Sequence, residues 1–555
     1  MLTILLSFIP FLLAAQPPAA VRITVNAGAP VSAWRPLWNG FGYDELNTTT
    51  TAHGRRLLRE LAALTPAPVY IRAHNLFTSG RASVRLKWGA SGVYSEDAQG
   101  RPVYHWAILD AIFDAYRQAG VVPDVELGFM PKALSTHPHP YAHHFPVGPL
   151  FTGWSYPPQS YRRWGGLVYA VARHLRRRYG SAAVRRWRWE VWNEPDIPYW
   201  HGTAEEYFRL YDTSAAALHR AIPGAVIGGP ETTGPRAPRA AAFLRAFLQH
   251  CARGRNAATG GRGAPLDFIS FHPKGDARME HGRQRMGLAA QLQSIDAGFR
   301  IVAASRAFHR TPIVLGENDP EGCAACSPRR DPGVDYRNGT VYPAYNAAVI
   351  KAIAGLERRD RVRCETAVTW AFEFEGLPYF SGLRQLATNG IDLPVLNGFR
   401  MFGRLGSQRL RLRSSGAIPL VQLLRQGVPP GEDDVDGIAT RRRREVEVLL
   451  WNYADQRPAA KSGSQEIELR IAGLPAHGRL RVAQFRIDHR HSNAYTVWLA
   501  MGRPAAPNPA QLRALQRASR LARLQAPARR PAPGGTLALR FRLPCPGLSL
   551  LRIRW

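Results

Sequence analysis

Asn193 and Glu194 close a run of aromatic and β-branched residues, Trp187-Arg-Trp-Glu-Val-Trp-Asn-Glu-Pro-Asp196. Such a run reads as a strand, and Pro195 stops any further ladder. The Asn–Glu pair therefore stands at the strand's C-terminal tip. Apolar walls favour the protonated form of a carboxyl group, so a glutamate beside tryptophans and a primary amide suits general acid work. Further along, Pro312-Ile-Val-Leu-Gly-Glu317-Asn-Asp-Pro320 is a second apolar strand ending in a glutamate. A lone Asn–Glu is more often a strand end with a surface carboxylate. Two strand-terminal glutamates facing one cleft are the equipment of a retaining glycosidase: one protonates the leaving oxygen and the other attacks the anomeric carbon.

These tips need a scaffold that points them at one another. Eight short apolar runs alternate with amphipathic stretches: 37–43, 69–74, 122–128, 187–194, 226–229, 268–272, 313–317 and 367–372. Between them lie the helical patterns 54–64, 106–119, 160–179, 204–221 and 345–356. Repeated βα units of this number predict an α/β fold, a TIM (β/α)8 barrel, whose reactive side chains sit at the C-terminal strand ends. On that count the two glutamates end strands four and seven. His74, Glu126, Asn193, His272 and Trp370 join them on the same rim. The His- and Pro-rich stretch 131–158 reads as a long loop on that rim.

The texture changes near residue 404. Pro, Gly and acidic residues around 427–436 precede alternating strands at 445–453, 466–471, 480–486, 537–543 and 548–555, with one short helix within 505–524. This is an all-β accessory domain, a sandwich. The division expected is 1–20 as an export signal, 21–403 as the barrel and 404–555 as the sandwich, with 21–30 free to add a strand to the latter.

The chain resembles glycoside hydrolase family 39, which contains β-xylosidases and α-L-iduronidases. The resemblance rests on the Trp187–Asp196 motif, on Glu317, and on Ile487-Asp-His-Arg-His-Ser-Asn-Ala-Tyr495 with Trp498 in the second domain. It implies Glu194 as acid/base and Glu317 as nucleophile. In that setting Asn193 is placed to bind a sugar 2-hydroxyl. His74 and His272 would read other hydroxyls, and Trp370 would give the sugar ring an apolar floor. Lys274, in Phe271-His-Pro-Lys-Gly275, matches a His-x-Lys-Gly of the iduronidases, whose lysine helps to bind a sugar carboxylate; Glu317-Asn-Asp-Pro resembles their Glu-x-Asp-Pro. Lys274 has an alternative role in pairing with a neighbouring acid. Arg384 stands where a second carboxylate ligand is conceivable, but its surroundings depart from the family pattern. An exo-acting β-D-xylosidase is the leading expectation, an α-L-iduronidase-like uronide hydrolase the alternative, and a non-catalytic carbohydrate- or polyanion-binding protein the alternative of another class. The partner is an oligosaccharide or glycoside, and the chemistry calls for no metal and no organic cofactor.

Composition bounds the rest. A formal charge of +32 invites a nucleic-acid reading, but the 73 basic residues include only five lysines and are spread over every segment. A recognition surface would concentrate them on one stripe. Residues 2–15 are almost wholly apolar, too short to span a bilayer and suited to an export signal. Cys323-Ala-Ala-Cys326 lacks a second pair to complete a zinc site, so in an exported chain a local disulfide after Glu317 is expected. Cys251, Cys364 and Cys545 read as structural.

Overall fold

The computed structural model describes residues 20–80, 90–140, 142–143, 150–151, 153–456, 463–476 and 479–555. The export-signal run and part of the 131–158 loop lie outside the described residues.

Eight parallel strands close into a barrel in chain order: Gly40–Tyr43, Tyr70–Ala73, Val122–Leu127, Arg188–Val191, Val226–Thr233, Phe268–His272, Ile313–Leu315 and Cys364–Trp370. The last strand pairs with the first, Val368 opposite Gly40. Apolar strand residues such as Ile71, Val125, Trp189, Ile269 and Leu315 are fully buried, as expected where helices cover the sheet. The covering helices start where the sequence supplies caps. Ser160 accepts from the Arg163 N–H to open Tyr161–Tyr179. Thr203 and Glu206 form a reciprocal capping box ahead of Ala204–Ala221. These two helices pack together, and Trp164 Nε1 donates to Ser214 Oγ at 2.8 Å between them.

The second unit is a ten-stranded, mainly antiparallel sheet domain. The strand Val21–Ala33 lies within it, antiparallel to Gln408–Ser414 and parallel to Gln465–Ala472. Ile23 and Val25 thus join Val446, Leu450, Leu469 and Ile553 in one apolar core. Several elements escape the sequence reading, among them the helices Pro238–Arg253 and Leu288–Ala304 and the strand Gln408–Ser414. The acidic stretch 427–436 runs directly into a strand, Asp434–Arg442, because Val435, Ile438 and Ala439 point into buried space. The segment 505–524 divides into a helix, Pro509–Ala518, and a short strand, Ala522–Arg523.

The two units share their packing. Trp451, Tyr453, Ile487 and Leu548 belong to the same apolar cluster as Tyr345 and Phe399 of the barrel. Asp455 receives the Leu288 N–H at 3.1 Å, and Asn397 Nδ2 donates to the Ser519 carbonyl at 2.7 Å. Among the described residues no helix is long and apolar enough to cross a membrane.

Candidate active site

The barrel tips converge. Glu194 follows strand four by three residues and Glu317 follows strand seven by two, so both stand on the loops just above the strand ends. Turning the chain there requires unusual backbone. Trp192 and Glu194 lie in the left-handed region at φ 72° and 46°, and Glu231 on strand five at φ 55°. Each such residue costs about 1–3 kcal/mol and persists only where the surroundings hold it. Here the Glu194 N–H donates to the Glu231 carbonyl at 2.9 Å, tying the two unusual turns together.

One oxygen of Glu194, one of Glu317 and a ring nitrogen of His272 lie within 4.8 Å of one another. His272, at the end of strand six, bridges them: Nδ1 is 2.9 Å from Glu194 Oε1 and 3.6 Å from Glu317 Oε1. Its Nε2 contacts Glu231 Oε2 at 2.6 Å. Burial disfavours its cation, but Glu317, Glu194 and Glu231 overcome that and raise the imidazole to about 9.

Glu317 is held from two sides. Arg72 Nη1 donates to Oε1 at 3.1 Å, and the Lys274 ammonium donates to Oε2. Burial by itself would raise this carboxyl group. The charges of Lys274, His272 and Arg72 win, and hold it well below the usual carboxylate range. Glu317 is therefore ionised at neutral pH, as a nucleophile must be.

Beneath the pair lies a buried charge layer. Arg72 donates from Nε to Glu190 at 2.5 Å and from Nη2 to Glu126 and Asn193 Oδ1, each at 3.0 Å. Its guanidinium sits 5.0 Å from the ring centre of Trp370. Burial, reinforced by Glu231 and Asp124 against the opposing Arg72, pushes the Glu190 carboxyl well above its ordinary value. His74 Nδ1 contacts Glu126 at 2.5 Å, and its ring meets Trp370 edge-on at 5.2 Å. Trp370 Nε1 donates to Asp44 at 3.1 Å.

Every residue expected at the site is therefore in one cluster: His74, Asn193, Glu194, His272, Lys274, Glu317 and Trp370. Trp370 is only 2 % exposed and His74 only 1 %, so little of either side chain is open to the cleft. Lys274 also donates to Asp319 at 2.8 Å, the acid of the Glu-x-Asp-Pro sequence. Arg384 is wholly buried, donating from Nε to the Trp370 carbonyl at 2.9 Å and from Nη1 to Glu321. It braces the loop after Glu317 and is not presented to the cleft. Cys323 and Cys326 are joined in that loop as a disulfide. The remaining cysteines, Cys251, Cys364 and Cys545, are buried.

Three residues escaped the sequence reading. Arg72 shares strand parity with His74, a signal that it points into the barrel, but a charged residue inside an apolar run is ordinarily outward-facing. Glu190 shares parity with Trp192 in the same way. Glu231 lay beyond the expected end of strand five, because Gly228-Gly229-Pro230 reads as a turn, whereas the strand continues to Thr233.

Comparison with known proteins agrees with this architecture. The family model described as Glycosyl hydrolases family 39 matches residues 34–535. A beta-xylosidase of Caldicellulosiruptor saccharolyticus is 29% identical over 424 residues, 74% of this chain and 76% of that one. An alpha-L-iduronidase of Mus musculus is 26% identical over 591 residues, 100% of this chain and 84% of that one. Among solved structures, a monomeric beta-xylosidase of Caulobacter crescentus CB15 superposes with a TM-score of 0.71 at 22% identity, covering 96% of this chain and 99% of that one. Its likeness is one of fold. The match of the family model runs through both glutamates, the whole barrel and most of the sandwich, and the chain belongs to glycoside hydrolase family 39 as a glycosidase.

Proposed function

We propose that this glycosidase acts by double displacement with retention of anomeric configuration, and that its substrate is a β-D-xyloside cleaved from the chain end. The observation that carries the mechanism is the spacing of the two carboxyl groups. Oxygens of Glu194 and Glu317 lie within 4.8 Å, close to the roughly 5–5.5 Å of retaining enzymes and too near for the roughly 6.5–9.5 Å that leaves room for an inverting water.

In the first step a Glu317 oxygen bonds to C1 while the C1–O bond breaks, and the leaving oxygen takes the proton of Glu194. In the second, Glu194 accepts a proton from water, whose oxygen replaces Glu317 at C1. Asn193 directly precedes Glu194 in the chain and shares Arg72 with Glu317, and its amide would serve the 2-hydroxyl.

The glycone assignment is supported by the beta-xylosidase relative and by the state of Lys274. Its ammonium is already shared between Glu317 and Asp319, so it has work to do without a carboxylate on the sugar. A second reading, an α-L-iduronide, is favoured by the same residue: Lys274 is the cation beside the cleft, and an α-L-iduronide differs from a β-D-xyloside by one carboxylate at C5. The Cys323–Cys326 disulfide together with the apolar run 2–15 supports action outside the cytoplasm.

The test is hydrolysis of an aryl β-D-xylopyranoside and an aryl α-L-iduronide side by side, with Glu317→Ala as control. Turnover of the xyloside alone is expected. Preferential turnover of the iduronide would overturn the glycone assignment and make Lys274 its carboxylate ligand.

A further inference from the structure

Glu231 is a third acid in the catalytic cluster, and double displacement needs only two. It is fully buried at the top of strand five, its Oε2 2.6 Å from His272 Nε2, while its own carbonyl accepts the Glu194 N–H. Room for it is made just after strand seven: a Cβ on Gly316 would lie 1.8 Å from Glu231 Oε2, so a side chain before Glu317 would have to displace this carboxyl group. We propose that Glu231 is a positioning residue that holds His272 as a cation shared between the acid/base and the nucleophile, so that one positive charge follows the negative charge as it moves from Glu317 to Glu194.

The chemistry of the first step makes such a charge useful. Before attack, Glu317 is the anion and Glu194 is protonated. After it, Glu317 is a neutral ester and Glu194 is the anion. His272 Nδ1 lies within 3.6 Å of the first and 2.9 Å of the second. A donor already in place where charge develops needs no reorganisation during the reaction. An imidazole ring can serve both carboxylates as a cation only if its other nitrogen also keeps a proton, and Glu231 is the group that receives it.

The surrounding charges are consistent with this. His272 faces Glu231 from strand five, Glu194 after strand four, Glu317 after strand seven, and the opposing charge of Arg72 from strand two. Glu231 faces Arg72 at 3.9 Å and Glu190 on strand four. Burial would raise Glu231, but Arg72 and His272 lower it to about 2, so it supplies a full negative charge at working pH.

The proposal rests on the retaining mechanism above for its catalytic consequence, but its structural core is measurable without substrate. In 15N-histidine-labelled enzyme, with His272 assigned by comparison with His272→Asn, wild-type protein at pH 7 is expected to show both ring N–H protons of an imidazolium. In Glu231→Gln the ring should titrate at least about one pH unit lower, since the substitution removes a negative neighbour. Glu231→Asp, which keeps the charge, should restore most of the shift. With aryl glycosides that the wild type cleaves, Glu231→Gln should lose at least about tenfold in kcat/KM on poor leaving groups, which need the Glu194 proton, and much less on 2,4-dinitrophenyl glycosides. The alkaline limb of kcat/KM should also move to lower pH, because the cluster binds its protons less tightly. A neutral His272 in the wild type, an unchanged titration in Glu231→Gln, or a loss equal for all leaving groups with an unshifted pH profile would each overturn the proposal. If neither glycoside class is turned over, the substrate assignment fails while the titration still decides the state of His272.

Discussion

Arg72 donates to Glu317 Oε1 at 3.1 Å through Nη1 and to Glu190 Oε1 at 2.5 Å through Nε, joining the candidate nucleophile to the buried floor of the barrel. One guanidinium thereby faces the carboxyl groups of Glu126, Glu190, Glu231 and Glu317. Arg72→Met would leave that layer without its central cation. Breaking a buried pair from one side costs about 3–5 kcal/mol. The expected result is a large drop in unfolding temperature or failure to fold. Arg72→Lys, which keeps the charge but has one nitrogen for several acceptors, should fold and still lose most activity. Thermal unfolding and kcat measured on both variants check this.

On the proposed mechanism Lys274 sets the acid side of the pH profile. Glu317 would act there as a carboxylate, above its own pKa, and Lys274 is foremost among the charges that overcome burial to depress that pKa. Lys274→Met should therefore raise the Glu317 pKa and move the acid limb of kcat/KM to higher pH. The same residue contributes to stability with a defined sign. A depressed carboxylate stabilises the fold above its unfolded value of about 4.3 and loses that contribution as pH falls through the folded value. The variant's unfolding temperature should then be lower than wild type at pH 7, with the gap closing in strong acid. An unmoved acid limb would show that Arg72 and His272 suffice.

Glu194→Ala removes the proposed proton donor and leaves the proposed nucleophile, Glu317. General acid catalysis contributes about 10²–10⁴-fold, so the variant should lose that much on aryl glycosides with poor leaving groups. On 2,4-dinitrophenyl glycosides the first step should remain fast and the glycosyl-enzyme should accumulate, visible as a burst or as added mass. The wild-type product, followed by NMR immediately after cleavage, should carry the substrate's anomeric configuration. An inverted product would contradict the carboxyl spacing.

Order in the loop after Glu317 is expected to depend on Arg337 more than on the disulfide. Arg337 is fully buried and donates to the carbonyls of Cys326 at 2.7 Å and of Ala324 and Gly382 at 3.2 Å each, and pairs with Glu321 at 2.9 Å. Cys323 and Cys326 are separated by only three positions, so their bond removes little chain entropy from the unfolded state. Cys323→Ala with Cys326→Ala should fold and shift the unfolding temperature by a few degrees. Arg337→Met, which strands several carbonyls and Glu321, should cost more and raise KM as the loop beside Glu317 loosens.

The sequence by itself determined the parts of this protein that depend on local pattern. Short apolar runs alternating with amphipathic stretches led to the barrel, and period-two strands to the sheet domain. Trp187–Asp196 and Ile313–Glu317 marked two strand ends, each with its glutamate, because a proline or a glycine beside a strand leaves a plain signal. Tertiary structure alone decided how charges are shared among elements far apart in the chain. Arg72, Glu190 and Glu231 look unremarkable one at a time, and a charged residue within an apolar run is ordinarily taken to face water. Only closure of the barrel brings the tips of strands two to seven together, so that Arg72 meets four carboxyl groups and His272 stands between Glu194 and Glu317 with Glu231 behind it. Spacing along a chain carries no information about such contacts, because electrostatic coupling depends on distance through space and on the exclusion of water. Burial then magnifies it.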